Sequence, residues 1–233
     1  MSIAEPTGQK LFHEVAEHCV ELLRQAGVGL SEPGHLDWDE FAELSRLVHG
    51  SFQVPATTFT PMMRRLLFAI SACLQPRTIV GAGTYVGYTF AWLLRNRADA
   101  RSGMPAVEAI GIDVDADANR IARANCTLLN HGDGVRFVDG DACAVLRELR
   151  EPVDLLYIDI DSADDRKMGY RDVLVAALPV LRPGSLVLAH DACLPFFADA
   201  FAVYDAFVHE SADLAGPWTL PVDACGLSVT AVR

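Results

Sequence analysis

The sequence lacks the features of a membrane protein, a secreted protein or a nucleic-acid-binding protein. Its 233 residues contain no apolar run near the ~20 residues that a membrane span needs, and MSIAEPTGQK at the start has no apolar signal core. Basic residues form no cluster denser than pairs such as Arg64 and Arg65, and the formal net charge is −12. Because phosphate binding needs concentrated positive charge, we expect no nucleic-acid partner and no membrane partner. We expect a soluble, cytoplasmic protein.

The six cysteines show no pattern of a metal or redox centre. None forms a CxxC pair or another metal-ligand spacing, and most lie in stretches typical of buried helices or strands. We expect reduced thiols in the core of a cytosolic protein. Hydrophobic residues make up 51% of the chain and charged residues 21%. These values are typical of a globular protein, and a chain of this length can bury a sizeable core.

The first 60 residues show two helical patterns followed by a loop. Apolar residues at helical spacing predict amphipathic helices over 9–27 and 36–50. Thr60 is expected to cap a third helix, since threonine followed by proline is typical of a helix start. We therefore divide the chain into an N-terminal helical segment, 1–60, that covers a site or forms a dimer contact, and a second domain, 61–233.

Short apolar strands and helices alternate from residue 78 onward. The last stretch, 218–233, predicts two strands joined by a turn at 223–226. Alternation of strand and helix predicts a parallel sheet covered by helices on both faces, whereas a two-stranded hairpin is antiparallel. The predicted fold class is therefore α/β, with a doubly wound, Rossmann-like, mostly parallel seven-stranded sheet and a C-terminal antiparallel hairpin.

A glycine-rich turn follows the first predicted strand. Residues 79–89 read IVGAGTYVGYT, with Gly81, Gly83 and Gly87 in a GxGxxxG spacing. In a doubly wound sheet, ligands bind beyond the carboxyl ends of the strands, where glycines let the backbone approach a nucleotide-like cofactor. The next strand ends at Asp113, whose carboxylate could accept both hydroxyls of a ribose. A dinucleotide and an adenosyl cofactor both remain compatible with this pattern.

Further motifs lie at the ends of the later strands: GDA (140–142), DLLYIDID (154–161) and LRPGSLVLAHD (181–191). With the glycine turn and the closing hairpin, they resemble the class I S-adenosylmethionine-dependent methyltransferases. The similarity is to the small O-methyltransferases of the catechol and caffeoyl-CoA type and their bacterial relatives, and it covers roughly residues 52–233. It implies methyl transfer from S-adenosylmethionine to a hydroxyl of a small phenolic or secondary-metabolite-like acceptor.

The resemblance implies a role for each motif. The glycine turn would wrap the methionine part of the cofactor, Asp113 would hold the ribose, and Asp141 would lie beside the adenine. Asp159 and Asp191 would be two acids that bind Mg²⁺ or another divalent cation, and Asp159 would also contact the methionine amine. The implied cofactor-binding residues are Gly81, Gly83, Thr84, Tyr85, Gly87, Tyr88, Thr89, Asp113, Val114, Asp141, Ala142 and Asp159.

The sequence departs from this family's pattern around the site. Gly81 stands where the first motif usually has a glutamate, and Ala192 stands where an asparagine usually follows the second metal acid. Lys167 lies eight residues beyond Asp159, whereas the catechol-type enzymes have a lysine shortly after that acid. Because Mg²⁺ takes near-octahedral oxygen ligands, a third ligand would have to come from the following loop. The candidates there are Asp161, Asp164 and Asp165.

Without a metal, methyl transfer depends on a base. The reaction is an in-line displacement at a sulfonium, so the protein aligns the nucleophile and removes its proton. His190 is the candidate base, because it lies at a strand's carboxyl end and histidine titrates near neutral pH. Asp159 and Asp161 complete the candidate catalytic set. The five histidines in helices or at their ends are expected in solvent: His13, His18, His49, His131 and His209.

Three other functions remain open. One is a metal-independent methyltransferase that acts on nitrogen or carbon. The second is an NAD(P)-dependent oxidoreductase on the same sheet, although the chain has no Tyr-x-x-x-Lys pair. The third is a non-catalytic S-adenosylmethionine-binding protein, in which the changes at Gly81 and Ala192 mark lost catalysis.

Overall fold

The computed structural model describes residues 7–54, 59–95, 107–129, 131–162 and 166–233. Its helices are α1 (Thr7–Gln25), α2 (Trp38–Ser51), α3 (Pro61–Leu74), α4 (Tyr88–Leu94), α5 (Ala116–Thr127), α6 (Ala142–Glu148), α7 (Tyr170–Ala177) and α8 (Ala198–Glu210). Its strands are β1 (Thr78–Ala82), β2 (Glu108–Asp113), β3 (Val135–Asp139), β4 (Val153–Ile158), β5 (Leu181–His190), β6 (Leu214–Leu220) and β7 (Leu227–Val232).

The seven strands form one sheet in the order β3-β2-β1-β4-β5-β7-β6. The first five of these are paired in parallel, and β7 runs antiparallel to both β5 and β6. The predicted mostly parallel sheet with a C-terminal antiparallel hairpin is therefore confirmed. The strand order reverses between β1 and β4, and in such sheets the crevice beyond the carboxyl ends at this point is where ligands bind.

The sheet separates two hydrophobic clusters. Along β4, Leu155 and Tyr157 belong to one cluster, whereas Leu156 and Ile158 belong to the other. This alternation is what successive residues of a strand produce when both faces of the sheet are covered. The first cluster contains side chains of α1 to α5, and the second contains side chains of α6, α7 and α8.

Helices α1 and α2 pack into the first cluster, where Leu23 and Phe41 are buried. His13, which was expected in solvent, is instead buried, because its ring stacks on that of Trp38 with centroids 4.0 Å apart. The predicted cap of α3 is confirmed, since Thr60 Oγ1 accepts the backbone N–H of Met63 at 3.1 Å. Within the described ranges, none of the helices combines the length and apolar character that crossing a membrane requires.

The local pattern predicts a helix that follows β2 and is closed by Gly132, and a strand over 185–192. Both predictions have one boundary that is wrong by several residues. Helix α5 ends at Thr127 rather than near Gly132. The N–H groups of the next two residues, Leu128 and Leu129, donate to carbonyl oxygens three residues earlier instead of four, so the last turn is tightened and the α-helix stops. Strand β5 begins at Leu181 rather than at 185. Its register with β4 shifts early in the strand, and such an irregularity is not visible in an apolar pattern.

Candidate active site

A cleft of about 1260 Å³ lies at the carboxyl ends of β1, β2, β4 and β5. The turns that follow these strands supply most of its wall, as the sheet topology requires. The predicted site residues that line it are Gly83, Thr84, Tyr85, Tyr88, Thr89, Asp113, Val114, Asp141, Ala142, Asp159, Asp161, His190 and Asp191. Its volume exceeds the ~300–1000 Å³ of a typical single-ligand pocket, so it has room for a cofactor and an acceptor together.

Gly81 and Gly87 lie behind this wall rather than in it. A Cβ at Gly81 would come within 2.4 Å of the Phe90 ring and 2.5 Å of the Thr84 methyl group. The position where a glutamate was expected is therefore filled by neighbouring side chains. Gly87 has φ +76°, and a Cβ there would lie 3.1 Å from Cys126 Sγ on α5. Both glycines have packing roles, and their contact with a cofactor stays a prediction.

Gly83 brings the turn against the end of β4. Its φ is +81°, and a Cβ there would lie 2.3 Å from the carbonyl oxygen of Asp159. Asp113 fixes the other side of the turn, because its carboxylate accepts the N–H of Tyr85 at 2.7 Å and that of Asp115 at 3.0 Å. Thr84 Oγ1 is buried with no hydrogen-bond partner in the described part of the chain. Such a hydroxyl and a close-approaching backbone fit a polar cofactor that the turn would wrap.

The part of the cleft that Val114 and Asp141 line suits a flat, partly polar group. Val114 is 78% exposed although it is apolar, and it lines the cleft beside Asp113. Asp141 caps the start of α6, because its carboxylate accepts the N–H of Ala144 at 2.8 Å. An apolar platform next to a carboxylate matches the adenine end that the motif predicts.

A cluster of charged side chains lies between the ends of β4 and β5. Lys167 Nζ is 2.7 Å from Asp159 Oδ1 and 2.9 Å from Asp191 Oδ2. Nζ also donates to the Tyr170 hydroxyl at 2.9 Å, and the Tyr157 hydroxyl donates to Asp159 Oδ2 at 3.0 Å. Each carboxylate thus meets one cation and further polar atoms, which is the condition for keeping charges in a buried site.

The cluster sets the protonation of its members. Burial alone would raise the pKa of Asp159, but His190 and Lys167 lower it to about 2. Burial lowers the pKa of Lys167, yet Asp159 and Asp191 outweigh it and raise that pKa above its usual value. The Lys167 ammonium is therefore retained at neutral pH despite being buried.

His190 borders both the charged cluster and an aromatic wall. Its Nδ1 lies 3.4 Å from Asp159 Oδ2 and 3.3 Å from Asp191 Oδ1. Its Nε2 is buried and has no hydrogen-bond partner among the described residues. The ring of Phe59 meets the imidazole edge-on, with centroids 4.6 Å apart, and Phe59 lines the cleft. The neighbouring residues Thr57 and Thr58, which belong to the segment 1–60 that was expected to cover the site, lie outside the described residues.

Comparisons with known proteins agree with this arrangement. Residues 80–192 match the family described as a methyltransferase domain. A candidate O-methyltransferase from Mycobacterium sp. strain JLS is 31% identical over 160 residues, 66% of each chain. A catechol O-methyltransferase from Niastella koreensis is 27% identical over 140 residues, 58% of each chain. An O-methyltransferase from Bacillus cereus, solved in complex with S-adenosylhomocysteine, is 17% identical, covers 95% of this chain and 100% of its own, and has a TM-score of 0.65.

Residues 80–192 belong to the methyltransferase domain family, and this segment contains the glycine turn, Asp113, Asp159 and His190. The matched segments span just under two thirds of the Mycobacterium relative and 58% of the Niastella relative. The match to the solved methyltransferase extends over nearly the whole chain, so the fold is shared throughout.

The charged cluster does not present the ligand set of a divalent metal. An ammonium already stands between Asp159 and Asp191, and Ala192 offers no ligand atom. Asp161, a predicted catalytic residue and candidate third ligand, pairs through both oxygens with Arg166 at 2.8 Å each. Asp164 and Asp165 lie outside the described residues. The residues that the structure describes therefore do not fit Mg²⁺.

A second set of ligand-type atoms overlaps the first. His190, Asp191 and Cys225 each offer one atom, all within 4.8 Å of one another. Burial first, and then a hydrogen bond to Asp191, raise the pKa of Cys225 to about 12. A metal ligand must be a thiolate, so this protonated thiol makes the set a poor cation site as it stands.

Sequence reasoning missed the central position of Lys167 and the two tyrosines around it. Lys167 was noted only as displaced from the family's pattern, and Tyr157 and Tyr170 were given no role. One signal was available, since Lys167 is one of only two lysines in the chain and follows directly on an acid-rich loop. Its burial, at 2% side-chain exposure, depends on the path of that loop and is not encoded locally.

Proposed function

We propose that this methyltransferase uses S-adenosylmethionine to methylate a hydroxyl group of a small phenolic or secondary-metabolite-like molecule. The observation that carries the proposal is the single cleft that joins the glycine turn to His190. One end combines the Gly83 turn, Asp113 and the exposed Val114, which suit an adenosyl cofactor. The other end combines His190 with the ring of Phe59, which suits a flat acceptor that bears a proton to be removed.

In the proposed reaction, bound S-adenosylmethionine supplies a methyl group on a positively charged sulfur. The protein's task is to align the acceptor and take its proton. His190 Nε2 accepts the hydroxyl proton, while Asp159 and Asp191 face Nδ1 and stabilise the imidazolium that forms. Asp161 does not enter this step, because its carboxylate is paired with Arg166. No part of the step uses a metal.

Relatives support the choice of acceptor atom. The Niastella relative carries the name of a catechol O-methyltransferase, and a methyltransferase structure of 17% identity with a TM-score of 0.65 comes from tomaymycin synthesis in Streptomyces achromogenes. Both names refer to oxygen as the acceptor atom in a small molecule. We extend this to the present chain, and we further infer that it acts in a bacterial cytoplasm as a homodimer, with the segment 1–60 at or near the contact.

Binding is tested first, by thermal unfolding with S-adenosylmethionine, S-adenosylhomocysteine, NADH and NADPH in separate samples. A ligand at 100 times its Kd stabilises by about 2.7 kcal/mol, which for this chain length is a rise in Tm of roughly 5–10 °C. We expect that rise with the adenosyl ligands alone. Asp113→Asn should remove most of it, whereas Asp117→Asn, an exposed acid on α5, should retain it. A rise with the nicotinamide ligands alone would instead support the oxidoreductase.

Catalysis is tested by release of S-adenosylhomocysteine across panels of phenols, amines and carbon acids. We expect turnover with phenols, and ¹³C-labelled methyl groups should appear at the chemical shift of a methyl ether. His190→Asn should lower kcat by about 10²–10⁴-fold while keeping the Tm rise with cofactor. The matched control is His209→Asn, an exposed histidine at the end of α8. N-methylated or C-methylated products would overturn the assignment of oxygen, and binding without any turnover would support a non-catalytic protein.

A further inference from the structure

The ammonium of Lys167 is coordinated by protein oxygens as a bound cation would be. Its three N–H groups donate to Asp159 Oδ1 at 2.7 Å, Asp191 Oδ2 at 2.9 Å and the Tyr170 hydroxyl at 2.9 Å. The carbonyl oxygen of Ile160 lies 3.4 Å away. An ammonium has three donors and no acceptor, so its hydrogen-bonding capacity is used entirely by the protein. Lys167 has only 2% of its side chain exposed.

The same oxygens are the ligands that a hard divalent ion would take. Mg²⁺ would need six of them at about 2.0–2.1 Å in octahedral geometry. Here the two carboxylates converge on a nitrogen at distances typical of charge-assisted hydrogen bonds. One ammonium between two carboxylates leaves a net charge of −1. The imidazole of His190 lies next to both of these carboxylates.

The chain path explains how a lysine reaches this position from eight residues away. Ser162 and Arg166 exchange backbone hydrogen bonds of 3.1 Å in both directions, which brings these two residues together after β4. Arg166 has φ +57°, and the turn that follows leads into α7, with the N–H of Tyr170 bonded to the carbonyl of Lys167 at 3.1 Å. The loop thereby returns Lys167 to the end of β4.

We propose that Lys167 is a built-in cation that takes the place of a divalent metal between Asp159 and Asp191, so the protein binds no metal there. Two consequences follow, the second of which rests on the proposed function. The Lys167 ammonium offsets the repulsion between the two carboxylates without any bound metal ion. The acceptor needs only one hydroxyl, because no metal is present to bind two neighbouring oxygens of the acceptor.

The first test measures Mn²⁺ binding by electron paramagnetic resonance and Mg²⁺ binding by calorimetry, so it needs neither acceptor nor turnover. The proteins are wild type, Lys167→Met, and Lys10→Met as the matched control, because Lys10 is the only other lysine and is exposed. We expect no saturable binding by wild type or Lys10→Met. Lys167→Met should bind Mn²⁺ at least about tenfold more tightly than wild type does. The double variant Lys167→Met/Asp191→Asn should lose that gain.

Two results would overturn the proposal. One is wild-type Mn²⁺ binding that Asp191→Asn abolishes. The other is a folded Lys167→Met protein that binds no more Mn²⁺ than wild type. Because methyl transfer is not the readout, an absence of turnover would count against the proposed function and leave this conclusion unchanged.

If Lys167→Met does not fold, the wild-type protein still provides a decisive measurement. Its two lysines give separable ¹H–¹⁵N signals from their ammonium groups, and Lys10→Met assigns them. A buried, fully hydrogen-bonded ammonium exchanges slowly, so the Lys167 signal should be sharp at neutral pH. Added Mn²⁺ should leave it unchanged. Selective loss of the Lys167 signal with Mn²⁺ would show a paramagnetic ion beside it and would overturn the proposal.

Discussion

Single residues around the cleft adopt backbone conformations that most side chains avoid. Gly83 has φ +81°, Tyr85 has φ +46° and Asp191 has φ +68°, and all three line the cleft. A non-glycine residue in the left-handed region costs about 1–2 kcal/mol, so surrounding contacts must hold it there. For Tyr85 that contact is the N–H bond to Asp113 at 2.7 Å, and for Asp191 it is the ion pair with Lys167. The strain lies where it shapes the ligand site.

Gly83→Ala should therefore damage both stability and binding. The new Cβ would lie 2.3 Å from the carbonyl oxygen of Asp159 and would also disfavour the left-handed backbone. We expect a loss of about 2–4 kcal/mol in the free energy of unfolding, measured by urea denaturation, and a weaker Tm response to the cofactor. Gly8→Ala is the control, since a Cβ at this helical position has nothing within 4 Å. It should be neutral or slightly stabilising. Equal stabilities for the two variants would contradict the prediction.

The pH dependence of catalysis should reflect the acids beside His190. Burial lowers the pKa of His190, but Asp159 and Asp191 outweigh it and raise that pKa above 6.5. A base must be unprotonated, so kcat/KM should rise with pH through a value above the usual histidine range. In Asp191→Asn, which removes one of the two charges, the rising limb should move to lower pH. A limb that stays in place in this variant would show that His190 is not the titrating base.

Sequence reasoning located residues whose position is set locally and missed those whose position depends on a distant contact. Gly83 and Asp113 could be placed at the cleft because a turn after a strand and an acid at the next strand's end fix their positions within a few residues, while their roles in binding stay predictions. Lys167 and Tyr170 could not, since their meeting with Asp159 requires the return of a whole loop. Gly81 was placed correctly beside the turn, but its packing against Phe90 depends on the orientation of α4.

At the scale of elements, the start of α3 connects the N-terminal half to the C-terminal hairpin. Thr60 caps α3 by accepting the N–H of Met63, and its hydroxyl donates to Asp223 Oδ2 at 2.5 Å. Asp223 also accepts the N–H groups of Cys225 and Gly226, so it shapes the turn between β6 and β7. The cap was predicted from the Thr-Pro pair, but its bond to a residue 163 positions away was not.

Thr60→Val should cost more than the loss of a helix cap. It removes the acceptor for Met63 and the donor to Asp223 together, so we expect a loss of about 1–2 kcal/mol in the free energy of unfolding. Thr127→Val is the matched control, because among the described residues the Thr127 hydroxyl bonds only to the carbonyl oxygen of Arg123, one turn earlier in its own helix. Its effect should stay within about 0.5 kcal/mol. Urea denaturation measures the free energy of unfolding of the Thr60 and Thr127 variants. Equal losses in the two variants would show that the bond from Thr60 to the hairpin contributes nothing to stability.

For the whole molecule, the alternation of strands and helices was sufficient to predict the sheet, because parallel strands covered on both faces leave a strong apolar pattern. No comparable pattern in residues 1–60 indicates how the N-terminal helices attach. Leu23 of α1 and Phe41 of α2 share one cluster with Trp92 of α4 and Tyr157 of β4. Contacts between distant amphipathic faces have no local signature, so the boundary at residue 60 stays a prediction.

The shared core predicts that residues 61–233 will not fold alone. Removing residues 1–60 deletes several side chains that are almost fully buried, among them Val20, Leu23, Phe41, Leu44 and Val48. Each contributes about 1.5–3 kcal/mol through burial, and together they rival the ~5–15 kcal/mol stability of a typical domain. We expect the fragment to lack cooperative thermal unfolding by circular dichroism. Co-expression with residues 1–60 as a separate chain should restore it, since the lost surface is then covered again. Cooperative unfolding of the fragment by itself would instead show that the N-terminal helices are an accessory segment on an independent domain.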